Sequence, residues 1–282
     1  MLEHDDNIEK LEGRFAKMSS IQSIDARPAF NATPVQADTT LDDGPGRHRI
    51  GLIALASDYV VERDFVNMRP CDDVAVFVSR VLNVNPCTVE NLKTMGPRLA
   101  DATSLIIPDG RLDVVSYCCT SGTTAMGYEA VADSIHKARP DIPVVTPITA
   151  GLRALKQLDA HRIAVLTPYT DDVNETLVGY IEQHGPQVIS TTSFLFANDN
   201  DMARIPPETI VKAALEADRA DADALFISCT AIRAVDVIEQ IEKTLNKPVI
   251  SANQALFWES IRVAGYQGSI PGYGKLLTMG LD

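Results

Sequence analysis

The sequence predicts an α/β protein of two similar lobes, each a parallel sheet flanked by helices, related by a pseudo-twofold axis with a site in the cleft between them. Three observations carry that expectation. From Arg49 onward, apolar runs of strand length alternate with segments of 3.6-residue periodicity, the pattern of parallel strands joined by crossover helices. Three strand-like blocks occur twice in the same order. With 282 residues, 45% of them hydrophobic and 22% charged, the chain also has ample material for a large core.

Residues 1–47 read differently from the rest. Asn7 to Met18 fits one short amphipathic helix, and the stretch containing Pro28, Pro34, Asp42, Asp43, Gly44, Pro45 and Gly46 fits a linker. Both a disordered extension and an arm packed on a partner subunit agree with this composition. Strands are expected at Ile50–Ala56, Val114–Cys118, Val144–Thr146, Ile163–Thr167, Leu225–Ser228 and Val249–Ser251. Helices are expected at Asp72–Val81, Val89–Ala100, Thr123–Lys137, Thr149–Leu158, Asp171–His184, Pro207–Ala217, Ala234–Leu245 and Asn253–Ala264.

The repeated blocks divide the folded part into lobes at 48–148 and 149–249. Arg49-Ile50-Gly51-Leu52-Ile53 matches Arg162-Ile163-Ala164-Val165-Leu166, a strand opened by a basic residue. Asp113 to Thr120 matches Asp223 to Thr230: an Asp, a short apolar strand, then Cys-Thr. Pro143-Val144-Val145-Thr146 matches Pro248-Val249-Ile250-Ser251. The separations of 113, 110 and 105 residues drift only by loop-sized amounts, as an ancient duplication would leave them. Duplicated lobes would bring equivalent strand ends to a shared cleft, where open α/β sheets place their ligands. Asp113 and Asp223 sit at strand starts, far from the cysteines along the chain, and read as turn residues.

Cys119 and Cys229 follow their strands directly and precede expected helices. Helix N-terminal amides favour a thiolate, so each thiol is expected to ionise more readily than a free cysteine. A pair at equivalent positions would face one small ligand from opposite sides, one sulfur taking a proton while the other returns one. Inversion at a carbon next to a carboxylate needs no more than that, and no cofactor is called for. A covalent thiol adduct permitting rotation about a double bond suits the pair equally. Thr120, Ser121 and Thr230, with nearby amides, are candidates to hold the carboxylate. Cys118, its strand neighbour, should face away, while Cys71 and Cys87 lack counterparts in the other half and read as incidental thiols.

Other classes fit poorly. A net charge of −13 argues against nucleic acid as a partner. No apolar run approaches a membrane span, and the acidic start Met1-Leu2-Glu3-His4-Asp5-Asp6 does not resemble a secretory signal, so neither a membrane partner nor export is expected and the cytoplasm is the predicted location. The five histidines show no ligand spacing, so no metal site is expected. The glycines from Gly268 to Gly274 lack the spacing and the Ser/Thr of a phosphate loop.

The ordered set Tyr117-Cys118-Cys119-Thr120-Ser121-Gly122-Thr123, Thr167-Pro168-Tyr169, Ser228-Cys229-Thr230 and Asn253-Gln254-Ala255-Leu256-Phe257-Trp258 resembles the aspartate/glutamate racemase superfamily. Within it, the resemblance is to the branch of maleate cis–trans isomerase and arylmalonate decarboxylase, and particularly to the ectoine-utilisation proteins. It spans roughly residues 48–282. It implies Cys119 and Cys229 as the catalytic pair, Tyr169 as a phenol on the substrate carboxylate, Asn198 near a ligand-binding Asn, and a C-terminal segment 250–282 closing over the first lobe. It further implies a homo-oligomer, a dimer or larger. Because arylmalonate decarboxylases lack the first thiol, the presence of both favours an isomerase or racemase over a decarboxylase.

One departure bears on the substrate. Maleate isomerases carry Ser-Ser-Asn after the first strand, where this chain has Ala56-Ser57-Asp58. Asp58 in the cleft would repel a second carboxylate and pair with an amine or amidinium, although it equally fits an ordinary helix N-cap. The expected substrate is therefore a small cationic or zwitterionic acid, such as ectoine, hydroxyectoine or a related amino acid. A maleate-type isomerase, an arylmalonate-type decarboxylase and a non-catalytic two-lobed binding protein are the alternatives.

Overall fold

The structure, a computed structural model, describes residues 31–281. Residues 31–44 are exposed and form neither helix nor strand, and the helix expected from Asn7 to Met18 lies outside the described residues. Pro45–Asp282 is one unit that carries both sheets.

In the first half, β1 (His48–Leu55), β2 (Val74–Val81), β3 (Val114–Tyr117) and β4 (Val144–Val145) form a parallel sheet in the order β2-β1-β3-β4. The second half repeats the arrangement: β5 (Arg162–Thr167), β6 (Gln187–Ser193), β7 (Ala224–Ile227) and β8 (Val249–Ser251) run parallel in the order β6-β5-β7-β8. The inner strands β1, β3, β5 and β7 are covered on both faces, which is why they read as continuous apolar runs rather than alternating ones.

Of the four edge strands, β4 and β8 lie where the sequence placed them, while β2 and β6 depart from the expectation. Asp72–Val81, expected as a helix, is largely the strand β2; its Val74, Val76, Val78 and Val81 are β-branched and suit a pleated edge. The polar, half-buried β6 carries no apolar run to announce it. Two expected helices are broken. Val89–Ala100 splits into α2 (Val89–Lys93) and the start of α3 (Leu99–Ser104) around a 3₁₀ turn, Gly96–Arg98, that holds Pro97. Thr123–Lys137 divides into α4 (Thr120–Met126) and α5 (Tyr128–His136) at Gly127, whose φ of 87° suits glycine. An unexpected helix, α1 (Val61–Met68), follows β1.

The duplicated blocks make the same local bonds in each half. The Asp113 carboxylate accepts the Arg49 amide at 2.7 Å, and the Asp223 carboxylate accepts the Arg162 amide at 2.8 Å, fastening β3 to β1 and β7 to β5. After β4, Thr146 and Thr149 form a reciprocal capping box that starts α6 (Pro147–Gln157). After β8, Ser251 and Gln254 form the equivalent box for α11 (Ala252–Val263). These two helices pack on each other, with Arg153 of one ion-paired to buried Glu259 of the other. The C-terminal stretch is tied to first-half elements: Ser260 Oγ lies 2.7 Å from Ser116 Oγ of β3, and the Tyr273 hydroxyl donates to Asn67 O at 2.6 Å.

Between these come α7 (Asp171–Gln183), the short α8 (Asp199–Met202), α9 (Pro207–Ala217) and α10 (Ile238–Leu245). Among the described residues, no helix is long and apolar enough to cross a membrane.

Candidate functional site

The segments that follow β1, β3, β5 and β7 line one small cavity. Ser57 and Asp58 come from the first, Cys119, Thr120 and Ser121 from the second, Tyr169 from the third, and Cys229 and Thr230 from the fourth. The two loops bearing the cysteines touch, because Thr230 Oγ1 donates to Cys118 O at 3.2 Å. Cys118 itself is buried away from the cavity lining, its sulfur 3.6 Å from Ser116 O.

Cys119 is the N-cap of α4. Its sulfur accepts the Gly122 amide at 3.1 Å and lies 3.7 Å from Ser121 Oγ. Both contacts favour the thiolate, yet burial outweighs them and pushes the thiol up to about 11. Cys229 stands on different backbone. Its φ is 113°, a region that non-glycine residues rarely adopt, and no helix begins at Thr230. Burial is again the largest influence and raises this thiol well above its ordinary value, against a hydrogen bond from Tyr169 and the Ala231 amide at 3.4 Å. The sequence expectation of two readily ionised thiols at two helix N-termini is thus corrected in both parts. Cys229 has no helix behind it, and desolvation dominates both sulfurs.

Asp58 does two things at once. Oδ1 accepts the Val60 and Val61 amides at 2.7 and 3.0 Å, the N-cap reading, while buried Oδ2 has no hydrogen-bond partner. Burial raises its carboxyl to about 6 even though both amides pull it down. Thr120 Oγ1, also in the lining, is likewise buried without a partner.

Asn198 is not brought into the lining. Its side chain caps α8 by accepting the Asn200 amide at 2.9 Å, and its neighbour Asp199 enters the cavity instead. Asp199 Oδ2 accepts Ser57 Oγ at 3.0 Å and Asn83 Nδ2 at 2.7 Å, so a loop of the second half is latched onto two loops of the first. Burial raises the Asp199 carboxyl, and those same two donors hold it down. The Cys87 amide donates to Ala197 O at 2.7 Å beside this latch. Its side chain, an incidental thiol by sequence, is a third cavity thiol, pushed up by burial. Cys87, Asn83 and Asp199 carried no repeat to mark them; an N-cap-like Asn198-Asp199 step was the only local signal.

Asp58 and Asp199 are the acidic residues of the lining, and no Lys, Arg or His joins them among the described residues. Nor, among those residues, is any group of three or more His, Cys, Asp or Glu placed to hold a metal ion. The arrangement offers sulfurs for proton transfer or addition, hydroxyls and amides for a carboxylate, and carboxylates for a cation.

A family model described as arylmalonate decarboxylase matches residues 75–277. An arylmalonate decarboxylase of Bordetella bronchiseptica is 29% identical over 232 residues, covering 80% of this chain and 95% of its own. A maleate isomerase of Nocardia farcinica is 27% identical over 243 residues, covering 82% and 96%. Among solved structures, a maleate cis–trans isomerase of Nocardia farcinica bound to TRIS superposes with a TM-score of 0.75 at 25% identity, over 82% of this chain and 98% of that one. A liganded double mutant of arylmalonate decarboxylase gives 0.72 at 28% identity, over 81% and 97%.

Proposed function

This chain belongs to the arylmalonate decarboxylase family, and from that premise we propose that it is an isomerase or racemase in which Cys119 and Cys229 act together on one small carboxylic acid. The relatives named above are enzymes, isomerases and a decarboxylase, so an enzyme is the starting point. The observation that carries the finer reading is the presence of both sulfurs in the lining of one cavity.

In the proposed reaction the substrate carboxylate lies against Thr120, Ser121 and the amides at the start of α4. The thiolate of one cysteine takes the α-proton as the C–H bond breaks. The thiol of the other delivers a proton to the opposite face, so the pair ends with its protonation exchanged and no net charge gained. With both thiols pushed up by burial, forming the thiolate is the energetic obstacle. A positive charge on the substrate lowers that obstacle, because a nearby cation favours the ionised sulfur.

The same requirement bears on substrate class. A dianion would enter a cavity with two carboxyl groups and no basic side chain, whereas an ammonium or amidinium could pair with Asp58 Oδ2. A zwitterionic acid, with ectoine, hydroxyectoine or a related amino acid as the specific candidates, is therefore preferred to maleate. A homo-oligomer is part of the proposal and is tested by light scattering. The 29% identical decarboxylase supports one second reading, decarboxylation of a disubstituted malonate, which needs a single thiol and releases carbon dioxide.

The test is solvent-deuterium exchange followed by NMR on a panel of zwitterionic acids, maleate and an arylmalonate. Exchange or isomerisation should fall by about 100-fold or more in both Cys119→Ser and Cys229→Ser, the scale of a lost general acid or base. Full turnover in both variants refutes the two-thiol reaction. Carbon dioxide release that survives Cys119→Ser favours the decarboxylase.

A further inference from the structure

We infer that Asp64 and Asn253, two buried residues outside the cavity, are positioning residues that hold the second thiol in place. The inference rests on the proposed use of Cys229 and goes beyond it, to what keeps that sulfur aimed.

The loop after β7 has little local support. Cys229 adopts a φ of 113° and no helix follows it, so its conformation must be imposed by surrounding contacts. One is the bond from Thr230 Oγ1 to Cys118 O. The other comes from α11. Asn253 Nδ2 donates to Thr230 O at 2.8 Å and also to Asp64 Oδ2 at 2.8 Å. Asp64 is fully buried in α1, and its other oxygen accepts Arg63 Nη1 at 3.1 Å. Arg63 Nη2 in turn donates to both carboxylate oxygens of Asp236, at 2.8 and 3.0 Å, in the 3₁₀ turn Val235–Val237 that follows the same loop.

The chain of contacts therefore closes on itself. Asp64 fixes the rotation of the Asn253 amide, the amide holds the carbonyl next to Cys229, and Arg63 ties the far end of the loop back to Asp64. A buried carboxylate is costly to keep, and folding alone would be served as well by an apolar side chain at position 64. Asn253 Oδ1 is left without a partner, so both amide protons are committed to Asp64 and Thr230 at the expense of its own acceptor. Cys119 is held in addition by α4, through the Gly122 amide, and meets this network only through the bond from Thr230 to the Cys118 carbonyl.

The experiment uses the full-length protein, and its labelling step needs no substrate. Iodoacetamide labelling at pH 8, resolved by peptide mass spectrometry, gives separate rates for Cys229 and Cys119. Asn253→Ala should free the loop and raise the Cys229 rate about tenfold or more, with Cys119 changed less than about twofold, since access and environment set thiol reactivity. Asp64→Leu should behave like Asn253→Ala, whereas Asp64→Asn, which keeps an acceptor for the Asn253 amide, should stay within about threefold of the parent protein. Equal acceleration at both cysteines, or none at Cys229, overturns the inference. If Asp64→Leu does not fold by circular dichroism, Asn253→Ala and Asp64→Asn decide it. A selective change at Cys229 with unaltered turnover upholds the positioning and refutes the role proposed for Cys229 in the reaction.

Discussion

Cys119 and Cys229 end equivalent strands in sheets of identical order, yet their surroundings differ in nearly every detail. Cys119 has extended backbone, with φ at −148°, and caps α4 through the Gly122 amide. Cys229 has a φ of 113°, leads into a turn, and takes the Ala231 amide on its sulfur at 3.4 Å. The residue three positions on is Gly122 in the first half and buried Ile232 in the second. The shared frame lies in the strands and their Asp113 and Asp223 fasteners; the difference lies at the strand ends, where the ligand would be. Duplication of this kind gives two thiols one location while leaving each free to acquire its own environment.

The largest expected effect breaks the first half alone. A Cβ at Gly122 would lie 2.6 Å from the Tyr117 hydroxyl and 2.9 Å from the Cys119 sulfur. Gly122→Ala should therefore displace Cys119 and cost on the order of 100-fold in turnover, the scale of an ångström-sized misplacement, with Cys229 labelling unchanged. The next effect concerns the cation site. Asp58, at about 6, must be ionised to bind a positive group, so kcat/KM for a zwitterionic acid should fall about tenfold per pH unit below 6. Asp58→Asn should remove that limb from the pH profile.

A smaller effect concerns the latch between halves. Asp199→Ala removes the acceptor of Ser57 and Asn83, and should speed labelling of Cys87, Cys119 and Cys229 together. Selective acceleration of Cys229 alone would show that the loop does not close over the shared cavity.

A further effect is on stability. Asp58 and Asp64 rise from an ordinary 3.8 to about 6 and about 7, burial being the main cause in each. The folded protein thus keeps protons that the unfolded chain has already released, and unfolding free energy should decline from about pH 4 to about pH 7 on their account. Urea midpoints across that window should show the decline, reduced in Asp64→Asn.

The sequence made the inner strands and the twin Cys-Thr blocks legible because burial on both faces leaves an unmistakable apolar run, and because repetition removes chance. The edge strands β2 and β6 escaped for the complementary reason. Val74–Val81 lies at a sheet margin with Val78 partly exposed, and Gln187–Ser193 is polar, so neither shows the period of a covered strand. In the cavity, Ser57, Asp58, Thr120, Ser121, Tyr169 and Thr230 were expected beside the two cysteines and are found there. Asp199 and Asn83 were not foreseen. They meet across 116 positions of sequence through loops, a contact that no local pattern encodes. The thiols' resistance to ionisation was equally invisible, since it depends on how completely the cavity walls exclude water.

The central claim, that two sulfurs from duplicated strand ends serve one ligand site, is tested most directly by a bridging reagent. In a Cys87→Ser background, which removes the third cavity thiol, 1,3-dichloroacetone should join Cys119 to Cys229 in a single intramolecular cross-link, and an acid that occupies the cavity should suppress it. Separate single adducts on the two cysteines, with no bridged peptide pair at any reagent ratio, would contradict the account.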